Sequence, residues 1–528
     1  MHGALSDFQL EQSRRLVLGE MLARNARRTP STVALVFGDD KLTFAEFDTR
    51  VNKLANALAS RGIGHGDKVA VLMYNCFELL ESYFACLKLG AAAVPVNFRL
   101  TAPEVAYILG NSHAKAVLTD AELAPVAVAA VATVPAVGFV ATTGESIEGS
   151  ESYELLLASG DGKAPEVEVL ESDLAFVMYT SGTTGRPKGA MLTHQNLMAN
   201  TVNWVMEIEA RSADIWLSGL PLFHIGGLNG VLPFLYLGAT SVITPSTNFD
   251  PLESLRLLER HKVTICYFVP TQWQQICSLP ELGSVDTTVL RRALWGASQS
   301  PPSTLELLVK SFPSVGIVNA FGQTEMSSNT AFLKAEDAVR KIGSVGKPAI
   351  NVEYRVVDAY GNDVSPGEIG EIVYRGPTVM AGYYDNPEAT AEAFAGGWFH
   401  SGDLVREDEE GFLYVVDRIK DMIISGGENI YPAELELAFG THDAVAEVAV
   451  FGLAHPRWVE TPVAAVVLKP DAKATAGELI DHVRSRVASY KKPSAVYFVE
   501  MLPRNASGKI LKRELRDTFA PVFARELE

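Results

Sequence analysis

At 528 residues the chain exceeds what one hydrophobic core supports, so at least two domains are expected. Its 48% hydrophobic and 20% charged residues exclude a disordered or collagenous chain, and a formal net charge of −18 argues against nucleic acid or an anionic membrane surface as main partner. A local nest of backbone amides can still bind a small anion inside an acidic protein.

Residues 1–20 mix His, Asp, Glu and Arg with no apolar centre, so no secretory signal is expected. Residues 68–73 read as a strand, 77–89 as an amphipathic helix closed by Gly90, and 92–96 as a second strand. Thr101 and Glu104 have capping-box spacing for a helix reaching Leu109, and a third strand follows over 114–118. This cadence argues for parallel sheets covered by helices. Residues 123–144 carry no charge, but Pro125, Pro135 and Gly138 interrupt them, which favours a helix and a buried strand over a membrane span. Cys76, Cys86, Cys266 and Cys277 lack metal or redox spacing and sit in apolar segments, as free thiols of a reducing compartment do. A cytoplasmic protein with no integral membrane segment is therefore expected.

Residues 174–178 read as a buried strand that feeds a glycine- and hydroxyl-rich loop. From about Asn351 the pattern changes to short alternating runs at 352–357, 370–374 and 412–416, which suggest a small antiparallel barrel layer finishing the large domain. The charged run 406–410 before Gly411 reads as a solvated hairpin turn. Beyond Lys420, strands near 447–451 and 463–468, a helix over 477–489 and a strand over 495–499 form a compact α+β piece. The fold class is thus α/β, a large N-terminal domain with parallel-type sheets and a β-barrel layer, followed by a small α+β C-terminal domain.

The loop holds the densest chemistry. Thr180, Ser181, Gly182, Thr183, Thr184, Gly185, Arg186, Pro187, Lys188 and Gly189 combine hydroxyl donors, flexible backbone and one point charge, a combination suited to a polyphosphate. It does not match a Walker A loop, because Pro187 precedes the lysine and Gly189 follows it, nor a kinase glycine loop. Further motifs follow in order. They are Asn319, Ala320, Phe321, Gly322, Gln323, Thr324 and Glu325; then residues 370–376; then 397–403, ending at Asp403; then 417–432; and finally 503–510, which carries Lys509. In this arrangement the chain resembles the adenylate-forming enzymes over nearly its whole length, most closely the fatty-acyl and coumarate/feruloyl-type CoA ligases.

The resemblance implies a nucleotide-binding domain over 1–419 and a mobile lid over 420–528, hinged near Lys420. It implies that Thr180 to Lys188 hold the β- and γ-phosphates of ATP, that Thr324 donates to the α-phosphate, and that Glu325 holds Mg2+. Asn319, Ala320 and Phe321 would pack along the adenine, while Asp403 and Arg418 would bind the ribose. Lys509 is implied as the catalytic residue of adenylation, its ammonium bridging the acid and the α-phosphate. Ser425, Gly426 and Gly427 would face CoA after the lid rotates. Plant coumarate ligases carry lysines where this chain has Ile424 and Gly426, so their lysine contacts do not transfer.

The same resemblance assigns His224, Gly227, Asn229, Trp295 and Ser298 to the acyl pocket. Gly226, Gly227 and Gly230 would leave room there, and Trp295 stands where the family has a small residue. His224 reads either as a pocket-lining residue or as plain packing. No carboxylate near it would pair a substrate ammonium, so an amino acid is not expected. An apolar acid is implied, with a medium- or long-chain fatty acid first and a cinnamate, ferulate or benzoate as the alternative. CoA is the expected acceptor, a carrier protein the alternative, and a homodimer is compatible with the family.

Overall fold

The computed structural model describes residues 14–180, 186–297, 302–426, 428–504 and 510–527. The chain folds as two compact units, the first made of Met1–Glu353 and Tyr374–Phe399, the second of Tyr354–Val373 and His400–Glu528.

The first unit contains two large sheets. In one, strands Lys68–Leu72, Ala92–Pro95, Ala116–Thr119 and Phe139–Thr142 run parallel, as the strand and helix cadence anticipates. Helix Phe77–Leu89 ends at Gly90 in the left-handed conformation, φ 66°. Helix Ala102–Ser112 opens with the Thr101–Glu104 capping box, whose Thr101 N–H donates to Glu104 Oε2 at 2.8 Å. The uncharged stretch resolves into helix Ala124–Val131 and strand Phe139–Thr142, and among the described residues no helix is long and apolar enough to cross a membrane. Strand β1 (Leu174–Thr180) joins this sheet parallel to Ala92–Pro95, and β2 (Lys188–Thr193) turns back antiparallel to it.

Helices α1 (His194–Glu207) and α2 (Ile225–Leu237) follow, and with them the second sheet. Its parallel core comprises Thr240–Ile243, Ile215–Ser218, Ile265–Tyr267, β3 (Arg292–Gly296) and β4 (Gly316–Gln323). Strand β5 (Ser328–Leu333) reverses direction beside β4. The short strand β6 (Gly382–Tyr383) completes the first sheet by pairing with β2. Its position places Tyr383 opposite Ala190.

The four cysteines are free; burial pushes the Cys86 thiol up to about 12, so it is inert at neutral pH.

The second unit carries a four-stranded sheet in the order Glu353–Val357, Ile369–Arg375, Phe399–Glu407, Leu413–Arg418. The last two strands are the hairpin whose turn the charged run was read to form. Most of these strands group with the C-terminal residues, whereas the pattern of short alternating runs places them at the end of the large domain. Beyond them, the antiparallel pair Val445–His455 and Val459–Leu468 is extended by the parallel strand Ala495–Phe498 and backed by helices Pro432–Gly440, Ala476–Arg484 and Lys512–Glu526.

Candidate active site

The β1–β2 hairpin delivers its chemistry at its open end, where Thr180 pairs with Lys188. Ser181, Gly182, Thr183, Thr184 and Gly185 lie outside the described residues. Thr180 Oγ1 donates to Glu325 Oε1 across 3.4 Å, and the Tyr383 hydroxyl donates to the same oxygen at 3.1 Å. Lys188 Nζ lies 5.2 Å from the centre of the Tyr383 ring, within reach of a cation–π attraction worth about 0.5–1 kcal/mol at a partly exposed site. Three residues expected from the sequence therefore meet around a fourth that was not. No periodicity flags Tyr383; the only signal is an aromatic pair after a glycine.

Glu325 is held by a turn of unusual backbone. Strand β4 passes into a single 3-10 turn, Thr324–Met326, and returns through Ser327 and Ser328 at φ 58° and 105°. Gly322 makes this possible, because a Cβ there would stand 1.8 Å from the Ser328 carbonyl oxygen. Positive φ at two serines costs on the order of 1–3 kcal/mol each and needs surroundings that hold it.

Buried amides of α1 and α2 do so. Asn200 Nδ2 donates to the carbonyls of Met326 at 3.3 Å and Asn329 at 2.8 Å. Asn229 Nδ2 donates to the Ser327 carbonyl at 2.8 Å and to Asn200 Oδ1 at 2.6 Å. Trp204 Nε1 donates to Asn329 Oδ1 at 3.1 Å, and the Met380 N–H donates to the Glu325 carbonyl at 2.8 Å. Asn229, assigned to the acyl pocket by resemblance, is thus fully buried behind the Glu325 turn.

On β4, Asn319 and Ala320 are buried and Phe321 is half-buried. Asn319 Oδ1 is a buried acceptor with no hydrogen-bond partner among the described residues. Such an atom is costly unless a ligand supplies a donor.

His224 caps α2. Its Nδ1 accepts from the Gly226 N–H at 3.2 Å, which leaves the ring proton on Nε2, and desolvation lowers its pKa, so the imidazole is neutral at pH 7. Two glycines expected to leave room beside it do not. A Cβ on Gly227 would lie 2.2 Å from the Pro221 carbonyl oxygen, and one on Gly230 would lie 2.7 Å from the Trp216 ring. They allow close packing of α2. Trp295, expected at the acyl pocket, is 6% exposed and packs in the core with Phe268, Trp273 and Phe312. Its place on β3 turns the indole toward the helices, since Ala293 of the same strand joins that cluster. Ser298 lies outside the described residues.

The second unit brings together Asp403 and Arg418 on paired antiparallel strands, with Arg418 Nε 2.7 Å from Asp403 Oδ1. The Asp403 side chain is 4% exposed, so this pair is no casual surface contact. Lys420 follows in the turn Ile419–Asp421, where burial, with Arg418 nearby, lowers its ammonium below the ordinary range. Ser425 pairs with Glu428 and Val459, and the Gly426 N–H donates to the Trp458 carbonyl at 2.9 Å. Gly427 and Lys509 lie outside the described residues; Arg504 and Ile510, flanking the lysine segment, pair antiparallel.

Among the described residues no group of three or more His, Cys, Asp or Glu side chains converges. The oxygens at Glu325 and Thr180 are hard donors that fit magnesium, which takes one or two carboxylates and completes its shell with phosphate and water oxygens.

Residues 22–384 match the AMP-binding enzyme family and residues 434–509 its C-terminal domain. A feruloyl-CoA synthase from Amycolatopsis sp. is 40% identical, covering 95% of this chain and 99% of the relative. An indoleacetate–CoA ligase from Aromatoleum aromaticum is 38% identical over 95% and 98%, and the long-chain-fatty-acid–CoA ligase FadD13 of Mycobacterium tuberculosis 36% identical over 95% and 98%. Among solved structures, the anthranilate CoA ligase AuaEII in complex with anthranoyl-AMP superposes with a TM-score of 0.89 at 28% identity, covering 97% of this chain and 98% of that one. The o-succinylbenzoate CoA synthetase of Bacillus subtilis, in complex with ATP and magnesium ion, gives 0.83 at 34% identity over 94% and 99%. The chain belongs to the AMP-binding enzyme family, among the adenylate-forming acid–CoA ligases.

Proposed function

We propose that this enzyme activates an apolar carboxylic acid with ATP and transfers the acyl group to CoA, releasing pyrophosphate and AMP. The observation that carries this reading is the meeting of Thr180, Lys188 and Glu325 around Tyr383. The acid oxygen attacks the α-phosphorus, so two anions must approach, and oriented positive charge offsets their repulsion. Lys188 and the loop from Thr180 to Gly185 hold the outgoing phosphates, and Thr324 donates to the α-phosphate. Glu325, together with phosphate oxygens, would hold magnesium, which would supply charge screening. The unpartnered Asn319 Oδ1 accepts from the adenine amino group, Ala320 and Phe321 form the wall beside the base, and Asp403 with Arg418 takes the ribose hydroxyls.

Lys509 stabilises the charge that builds between acid and α-phosphate. The functional division we propose lies at Lys420, with 1–419 binding nucleotide and 420–528 acting as the mobile lid; unlike the compact units, it gives the four-stranded sheet to the first part. Ser425, Gly426 and Gly427 line the approach of the CoA thiol in the second step. His224, neutral and carrying its proton on Nε2, faces the acid, with Ser298 also lining the pocket.

Among apolar acids, compact aryl acids come ahead of long-chain fatty acids. The relatives named for feruloyl and indoleacetate substrates exceed the fatty-acid relative in identity. We further propose that the enzyme works in the cytoplasm. The test is acid-dependent ATP–pyrophosphate exchange across benzoates, cinnamates, indoleacetate and medium and long fatty acids. Acceptors, CoA against a holo-carrier protein, are then compared. Exchange with no acid refutes the reading; ADP in place of AMP assigns a phosphotransferase.

A further inference from the structure

We propose that Tyr383 is a positioning residue for the triphosphate site, using its two ends on two different groups; the inference rests on the nucleotide-binding reading above. Its hydroxyl donates to Glu325 Oε1 at 3.1 Å, and its ring carries Lys188 Nζ at 5.2 Å from the centroid. One side chain thus ties the carboxylate that would face a cation to the ammonium that would face phosphate.

The tie is built to be rigid. The backbone of Tyr383 is fixed on both sides, by pairing with Ala190 on β2 and by its N–H donating to Thr390 Oγ1 at 2.9 Å. Gly382 before it adopts φ 138°, and a Cβ there would meet Thr390 at 2.8 Å. Next to it the Tyr384 N–H donates to the Gly189 carbonyl at 2.7 Å, one residue from Lys188. The phenol therefore cannot drift away from the hairpin that carries Lys188 without breaking the sheet.

The arrangement has an electrostatic purpose. A free Lys188 ammonium and Glu325 carboxylate in one small site would pair with each other, and a paired lysine would have to be released before phosphate could bind. With the ring beneath the ammonium and the hydroxyl on one carboxylate oxygen, each charge has a weak, oriented partner of its own. The other carboxylate oxygen is left to a cation, and the lysine is left to phosphate. Tyr383 touches neither acid nor nucleotide in this account. It acts through Glu325 and Lys188.

The experiment uses the full chain and two substitutions that separate the two ends. Tyr383→Phe keeps the ring and removes the hydroxyl; Tyr383→Leu removes both. ATP affinity is measured by calorimetry without acid, in EDTA and in saturating Mg2+, alongside thermal melting. Tyr383→Phe should leave metal-free ATP affinity within about twofold of wild type while raising the half-saturating Mg2+ concentration for ATP binding by about tenfold, as expected for a lost hydrogen bond to a charged group. Tyr383→Leu should in addition weaken metal-free ATP binding by about threefold, the size of a lost cation–π contact. That extra loss should disappear in a Lys188→Ala background. An unchanged Mg2+ requirement in Tyr383→Phe overturns the proposal, as does equal loss of metal-free affinity in Phe and Leu or an undiminished Leu effect without Lys188. Because these readouts need no organic acid, a wild-type chain that binds ATP yet exchanges no pyrophosphate defeats the ligase reading and leaves the role of Tyr383 measurable. A wild-type chain that binds no ATP overturns both.

Discussion

Replacing Asn229 with leucine tests whether the Glu325 turn is held from behind by buried amides. The side chain is fully buried, and its Nδ2 donates to the Ser327 carbonyl at 2.8 Å and to Asn200 Oδ1 at 2.6 Å. Leucine has a similar shape but no donor, so two buried acceptors lose their partner at about 1–3 kcal/mol each. The substitution also removes Asn229 Oδ1, itself a buried acceptor without a partner among the described residues, which offsets part of the loss. A net destabilisation of about 2–4 kcal/mol follows. Trp204 packs edge-on against Trp216 at 6.0 Å beside this network, so tryptophan fluorescence in urea reports the unfolding of the first unit. A chain of two units need not unfold in one step, and the comparison is made on that transition alone. Pyrophosphate exchange should fall in parallel, since the turn carries Thr324 and Glu325. Asn229→Asp should be worse than leucine, because it turns a carboxylate toward two oxygen acceptors. A change below about 0.5 kcal/mol for Asn229→Leu would refute the reasoning.

The remaining predictions are of different kinds. Gly322→Ala forces a Cβ to within 1.8 Å of the Ser328 oxygen, so the turn must rebuild; loss of pyrophosphate exchange with a lowered melting temperature is expected, and a variant of wild-type activity contradicts the close approach. Burial of His194 lowers its pKa to about 4, against about 6.5 in an unfolded chain. The folded state therefore binds fewer protons, and the stability this residue contributes is complete above about pH 6.5 and is lost as pH falls toward 4. On the order of 2 kcal/mol should vanish between pH 7 and pH 5, and the urea midpoint of a His194→Asn variant should depend less on pH over that window; an equal dependence refutes the assignment. Lys509→Ala should cripple pyrophosphate release while sparing thiolation of supplied acyl-adenylate, measured by stopped flow, and equal damage to both steps removes Lys509 from the first step.

Several elements were readable from local pattern alone. Helix Phe77–Leu89 and its closing Gly90 follow from an apolar run and a residue that tolerates positive φ, although the helix is buried on every side from Leu79 to Leu89 rather than along one stripe. The capping box at Thr101 and Glu104 follows from spacing, and the division of residues 123–144 into a helix and a strand follows from proline positions. For the four-stranded sheet, alternation shows that strands exist but not which body they join, and the compact units group it with the C-terminal residues. Trp295 was misleading for a similar reason. Its motif position suggested a pocket, yet the side of β3 on which an indole falls is set by the pairing of the whole sheet.

Order along the chain was enough to identify a family and its chemistry, since a phosphate loop, a Thr-Glu pair and a lysine segment are short stretches whose residue types alone carry meaning. Folding decided which of those groups meet. The bond from Thr180 to Glu325 spans 145 positions, that from Tyr383 to Glu325 spans 58, and that from Asn229 to Ser327 spans 98. No window along the chain contains both ends of such a contact. It exists because β-pairing and helix packing, driven by burial of apolar surface elsewhere, bring distant backbones to a common edge.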